Sequence, residues 1–286
     1  MKTDAQTRRQ VLVTASELAE MLKSEQPPRI IAVQSVNPYT GQDSRSGVWI
    51  PGAVDAEAFT DFAAPAAPGR GSRPLPDLAA LEKTVAGWGI MPGQTIVLYD
   101  NDRATTAARG WWVLKWAGLQ DVRVLDGGLP AWLRAGLPTS DRPITPSRVD
   151  LPLSKGHLAE ITAENALDYA RDGVLLDARI RTNYIGGPEV GGDPKRGHIP
   201  GALSAPTINL LKDEGDFAPS EILAAHFQDL GADGSKPVGV YCGAGMSAAH
   251  MVLALAAIGV EAGMYPGSWS EWIEDPSRPV KRGATP

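Results

Sequence analysis

The chain repeats itself, and a repeat restricts the folds open to it more tightly than any single motif. Leu98-Tyr99-Asp100 matches Val240-Tyr241-Cys242, and Trp49-Ile50-Pro51-Gly52-Ala53 matches His198-Ile199-Pro200-Gly201-Ala202. Gly128-Leu129-Pro130-Ala131-Trp132 falls against Gly267-Ser268-Trp269-Ser270-Glu271-Trp272. The three pairs keep one order at a nearly constant offset of about 140 to 150 residues. Such collinearity predicts a tandem duplication of one domain. With 286 residues, each half is long enough to bury its own core.

Each half alternates strand-like and helix-like segments. Thr14 and Glu17 make a capping-box pattern ahead of Leu18, Met21 and Leu22. Apolar runs at 30–33, 95–99 and 122–125 predict buried strands, and 104–116 predicts a helix. The second half follows suit, with helices expected at 163–171, 220–230 and 247–258 and strands at 174–177 and 238–241. This alternation predicts an α/β fold of two tandem domains, each a parallel sheet with helices on both faces. The stretch 136–152 lacks a hydrophobic period, so the expected division is 1–136, a linker over 137–156, and 157–286.

Composition narrows the function. Hydrophobic residues make up 43% and charged residues 21%, with a formal charge of −6. No run of Lys or Arg exceeds two residues, so neither a nucleic-acid nor an anionic membrane surface is expected. The N-terminal MKTDAQTRRQ has no apolar core, and the apolar stretch 251–260 is about half a bilayer span. The expected location is the cytoplasm. One cysteine excludes an internal disulfide and a cysteine-rich metal site. His157, His226 and His250 show no metal-ligand spacing, so no metal or cofactor is expected.

That cysteine, Cys242, ends the apolar strand 238–241 and precedes Gly243-Ala244-Gly245-Met246-Ser247, where a helix is expected to begin. In open α/β sheets, ligands bind beyond the carboxyl ends of strands. Two glycines allow the backbone to curl so that its N–H groups face inward, and a helix N-terminus adds positive potential. Both effects favour the thiolate, which is the nucleophilic form. Cys242 is therefore a candidate reagent.

The order Leu-Leu-Asp-Ala-Arg (175–179), Gly-His-Ile-Pro-Gly-Ala (197–202), Cys-Gly-Ala-Gly-Met-Ser (242–247) and Gly-Ser-Trp-Ser-Glu-Trp (267–272) resembles the catalytic domain of tandem rhodaneses. Leu-Asp-Gly-Gly-Leu-Pro-Ala-Trp (125–132) resembles the partner domain, and the likeness spans most of 11–280. It implies a sulfurtransferase in which Cys242 carries a persulfide. A small-molecule donor would load it, and cyanide, a thiol or thioredoxin would unload it. The related phosphatases and arsenate reductases use a loop one residue longer, and the phosphatases end theirs with an Arg. This loop has no Arg, which disfavours phosphate chemistry.

By the same resemblance, the loop residues Gly243, Ala244, Gly245, Met246 and Ser247 bind the donor. Their small, neutral character is closer to the 3-mercaptopyruvate type, Cys-Gly-Ser-Gly-Val-Thr, than to the cationic thiosulfate type. Asp177 and Arg179 support the loop. The chain departs from the pattern at three places: Ala244 replaces a Ser, Trp49 replaces a His of the first domain, and Asn183 replaces a donor-gripping Arg. Arg181, Lys195 or Arg196 would have to take over that grip. Asp100 stands at the first domain's cysteine position, which implies a catalytically silent domain whose Arg103 and Arg109 are helix-surface or ion-pair residues. His198 is expected to be structural. Trp111, Trp112 and Trp116 are expected in core or interdomain packing, and Trp269 either to wall the pocket or to serve packing alone.

Overall fold

The computed structural model describes residues 4–36, 41, 43–186 and 196–286. Among the described residues, nine strands form two sheets. The first holds β1 (Leu12–Val13), β2 (Arg29–Gln34), β3 (Ala53–Glu57), β4 (Ile96–Tyr99) and β5 (Val122–Leu125) in the order β1-β5-β4-β2-β3. The second holds β6 (Val174–Asp177), β7 (Leu203–Ser204), β8 (Val238–Tyr241) and β9 (Ala262–Met264) in the order β7-β6-β8-β9. Every strand pair is parallel. An isolated parallel bridge, Glu160 to Met264, stands where β1 pairs with β5 in the first sheet. The two orders are therefore one topology, as a duplication requires.

Contacts divide the chain into two compact units. One comprises Met1–Ala64, Leu75–Leu158 and Lys212–Phe217, and the other Pro65–Pro74, Ala159–Leu211 and Ala218–Pro286. Among the described residues, no helix is long and apolar enough to cross a membrane.

In the first unit the sheet is covered on both faces. Val97 and Tyr99 of β4 join a core with Leu18 and Trp132, whereas Leu98 faces helix Thr105–Trp116. That helix comes so close that a Cβ on Gly110 would lie 2.5 Å from Leu98 Cδ2. It is apolar nearly all round, with Trp111, Trp112 and Trp116 buried as expected. Arg109 corrects the surface half of its expectation: it is fully buried, and its Nε donates to Phe62 O at 3.1 Å. Arg103 lies exposed in the loop ahead of the helix. The Thr14–Glu17 capping box forms with both of its bonds. Helix Ala166–Asp172 begins three residues later than expected, because Thr162 and Asn165 form a turn ahead of it.

The repeat is visible in individual bonds. Tyr99 Oη accepts from Ile50 N at 3.0 Å, and Tyr241 Oη accepts from Ile199 N at 3.1 Å. Trp132 Nε1 donates to Pro138 O, and Trp272 Nε1 to Pro279 O. Leu129 N donates to Asp100 O, as Trp269 N does to Cys242 O.

The two loops after β4 and β8 differ in what fills them. Asp100 is buried and accepts five hydrogen bonds, from the amides of Asp102, Ala104, Thr106 and Ala107 and from Thr106 Oγ1, at 2.9–3.0 Å. Its carboxylate caps helix Thr105–Trp116 and occupies the amide cradle. The cradle has a conformational cost, since Arg103 and Ala104 adopt φ of +52° and +64° without being glycine. Asp100→Ala should therefore lose about 3 kcal/mol, because several buried N–H groups lose a charged acceptor together. Urea unfolding of the variant and the parent protein measures this directly.

Candidate active site

Cys242 sits at the carboxyl end of β8, an interior strand, and is 3% exposed. Gly245 turns the chain with φ of +79°, a conformation glycine adopts at little steric cost. Its N–H then donates to Cys242 Sγ at 3.1 Å, and helix Met246–Ala257 begins at the next residue. The amide and the helix N-terminus both favour negative charge on sulfur. Gly243 does not share this role: its φ is not left-handed, and an added Cβ would meet nothing within 4 Å. Ala244 and Met246 are buried, and Ser247 is half-buried.

The turn 267–272 clamps this loop from behind. Trp269 N donates to Cys242 O and Ser270 N to Gly243 O, both at 2.9 Å. Ser268 Oγ accepts from Cys242 N at 3.2 Å, donates to Tyr265 O at 2.7 Å, and lies 4.0 Å from Sγ. Ser268 is fully buried with φ of +54°, matching Gly128 at +56° in the first half. Sequence reasoning missed it, although the repeat held the signal: serine stands where the other copy has the glycine its backbone calls for. Ser268→Gly relaxes that backbone, so stability should change by about 1 kcal/mol or less. Sulfur uptake by Cys242 should slow about ten-fold for want of the hydroxyl. Thermal melts and timed intact-mass spectra separate the two effects.

Asp177 and Arg179 form a buried pair, 0% and 7% exposed at their side chains. Arg179 Nε and Nη2 bind the carboxylate at 2.5–3.1 Å, and Nη2 also donates to Gly197 O. Burial works against the guanidinium's charge, but the Asp177 carboxylate outweighs it and raises the pKa above the ordinary value. Arg179 Cζ lies 4.5 Å from the Trp269 ring centroid and 5.7 Å from that of Tyr241. The pair thus braces the 197–202 turn by hydrogen bonds and reaches the cysteine loop through its aromatic neighbours. Trp269, itself buried, stands beside the loop as expected.

Other expected site residues are placed less closely. Arg181 is exposed and Asn183 half-buried on the short helix Arg181–Ile185, just past the end of β6. Arg196 is half-buried, and Lys195 lies outside the described residues. His198 is fully buried, stacked on Tyr184 at 3.7 Å between ring centroids, with Nδ1 2.9 Å from Tyr184 O. Burial lowers its pKa, which suits a structural imidazole. Trp49 is bonded through Nε1 to Asp55 Oδ1 at 2.5 Å. An indole carries no exchangeable pair of nitrogens, so it cannot relay protons as a histidine would.

Known proteins resemble this chain over most of its length. The chain is 41% identical over 285 residues to "Putative thiosulfate sulfurtransferase SseB" of Mycobacterium tuberculosis, covering 97% of this chain and 99% of that protein. It is 39% identical over 244 residues to "Probable 3-mercaptopyruvate sulfurtransferase" of Pseudomonas aeruginosa, covering 82% and 84%. The crystal structure of SseA from Escherichia coli, a 3-mercaptopyruvate sulfotransferase, matches with a TM-score of 0.77 at 27% identity, covering 91% and 98%. A model of the Rhodanese-like domain matches residues 14–135 and again 161–275, so each sheet has its own match and the chain belongs to the rhodanese-like family as a tandem pair of its domains.

Proposed function

We propose that this protein is a sulfurtransferase that carries sulfur on Cys242 as a persulfide. The observation that supports this most is the Gly245 N–H aimed at Cys242 Sγ from 3.1 Å, directly ahead of a helix N-terminus. A thiolate held in this way is a nucleophile for sulfur. With 3-mercaptopyruvate as donor, Cys242 attacks the thiol sulfur and the C–S bond breaks. Pyruvate leaves as its enolate and takes up the proton. The outer persulfide sulfur then passes to cyanide, a small thiol or thioredoxin, and the Cys242 thiolate is restored. No cofactor enters either displacement.

The neutral loop Gly243-Ala244-Gly245-Met246-Ser247 favours 3-mercaptopyruvate as donor, while the SseB likeness favours thiosulfate as a second one. By the family resemblance, Arg181 and Asn183 are the residues that would line the donor's approach. Asp100 leaves the first domain without a sulfur carrier. A lone reduced cysteine suits work in the cytoplasm.

The test is an intact-mass spectrum of the reduced protein after brief exposure to each donor. One added sulfur, lost on adding cyanide or a thiol, is expected. No gain from either donor would overturn the reading and leave a binding or redox-sensing module.

A further inference from the structure

The turn 267–272 holds two successive carbonyls of the cysteine loop. Trp269 N–H binds Cys242 O and Ser270 N–H binds Gly243 O, both at 2.9 Å. In a trans peptide the N–H points opposite to the C=O of the same plane. Fixing the two carbonyls therefore fixes the N–H groups of Gly243 and Ala244, which point away from the turn. Among the described residues, neither of these N–H groups has a hydrogen-bond partner. They belong to the same loop as the Gly245 N–H that meets Cys242 Sγ at 3.1 Å.

The first copy of the repeat separates what is general from what is special here. Leu129 N–H binds Asp100 O just as Trp269 N–H binds Cys242 O. At the next position the copies part, for Pro130 stands against Ser270. Proline has no N–H to give, so the second carbonyl bond belongs to the copy with the cysteine. In the Asp100 loop a carboxylate already takes up the amides, and no donor has to be held open.

The Ser270 side chain is fixed as well. Its Oγ donates to Gly267 O at 3.0 Å and accepts from Ser72 N at 3.0 Å. Ser72 lies in Pro65–Pro74, a segment of the first half that belongs to the Cys242 unit. Gly71 crosses there with φ of +73°, so close that an added Cβ would lie 2.7 Å from Gly267 O and 2.8 Å from Ser270 Oγ. Gly69 N donates to Glu274 Oε2 at 2.5 Å. Two hydrogen bonds joined through Ser270 thus lead from this strap to the residue after Cys242.

We propose that Ser270 is a positioning residue for sulfur transfer. Its N–H holds Gly243 O so that the Ala244 N–H remains an open donor, and its hydroxyl locks that arrangement to the strap. This rests on the sulfurtransferase reading above. Sulfur in transfer carries negative charge spread beyond Sγ, and an amide already aimed before the reaction stabilises that charge without reorganising.

The test uses the full chain with Ser270→Pro and Ser270→Ala. The first deletes the N–H and installs the residue of the silent copy, whose helix Gly128–Arg134 holds proline at the matching place. The second keeps the N–H and deletes the hydroxyl. Sulfur uptake by Cys242 from 3-mercaptopyruvate and from thiosulfate is timed by intact mass over a range of donor concentrations. Ser270→Pro should lower the limiting rate about 10- to 100-fold, with the half-saturating concentration changed less than about two-fold, as for an interaction made in the transition state. Ser270→Ala should lose only about two- to three-fold. If Ser270→Pro melts well below the parent, an ester linkage at position 270, which swaps only the N–H for oxygen, carries the same test. An unchanged limiting rate in the folded variant would overturn the proposal. So would a loss confined to the half-saturating concentration, or an equal loss in Ser270→Ala. Failure of the unaltered protein to take sulfur from either donor would instead remove the sulfurtransferase reading, and this proposal with it.

Discussion

Cys242→Ser folds as the parent does but takes up no sulfur, and turnover falls to background, a loss on the order of 10⁴- to 10⁶-fold. Stability should hold because the exchange is nearly isosteric and Gly245 N–H keeps an acceptor, now oxygen in place of sulfur. Activity cannot hold. A hydroxyl beside one amide stays protonated near neutrality and is a far weaker nucleophile than a thiolate. The chain has no second cysteine to take over the load. Matching melting curves with no mass gain in the variant are the expected pair of results. Undiminished transfer by Cys242→Ser would sink the persulfide route outright.

Asp177→Ala should destabilise the protein by about 3–5 kcal/mol, the cost of leaving a buried charge without its counterion. Arg179 would keep only Gly197 O and the faces of Trp269 and Tyr241. The double variant Asp177→Ala/Arg179→Met should recover much of that loss, because no isolated charge then remains buried. Urea unfolding of the two single variants and the double variant gives the coupling. A loss below about 1 kcal/mol in Asp177→Ala would show that the pair behaves like a surface one. Activity should be more sensitive than stability in the double variant. Methionine can fill volume beside Trp269, but it cannot bond the 197–202 turn.

Much of this was legible in the sequence because the repeat gives each motif a partner to be compared with. The order of matched segments foretold two copies of one parallel topology, and the apolar run before Cys242 foretold a cysteine at a strand end ahead of a helix. The strand limits at 174–177, 238–241 and 122–125 were readable because short apolar runs end at residues that cannot continue them. The burial of Arg109 was not readable, because a charged residue on a helix reads as surface or ion-paired, whereas this helix is buried on nearly every side. Ser268 was missed because its role depends on a backbone turn and a neighbour 26 residues away. The placement of Pro65–Pro74 was equally hidden. A Pro- and Gly-rich stretch reveals that it is irregular but not which sheet it lies against.

The loop of the first domain shows which way the two copies have drifted. Four residues, Asn101–Ala104, separate Asp100 from its helix, against three, Gly243–Gly245, after Cys242. The longer loop is shaped around two oxygen acceptors and two left-handed side-chain-bearing residues. A cysteine at position 100 would bring one acceptor atom to donors arranged for two, in a turn of the wrong length. The carboxylate fills its own amide cradle, so the first loop holds a fixed internal acceptor where the second presents a lone sulfur to its amide.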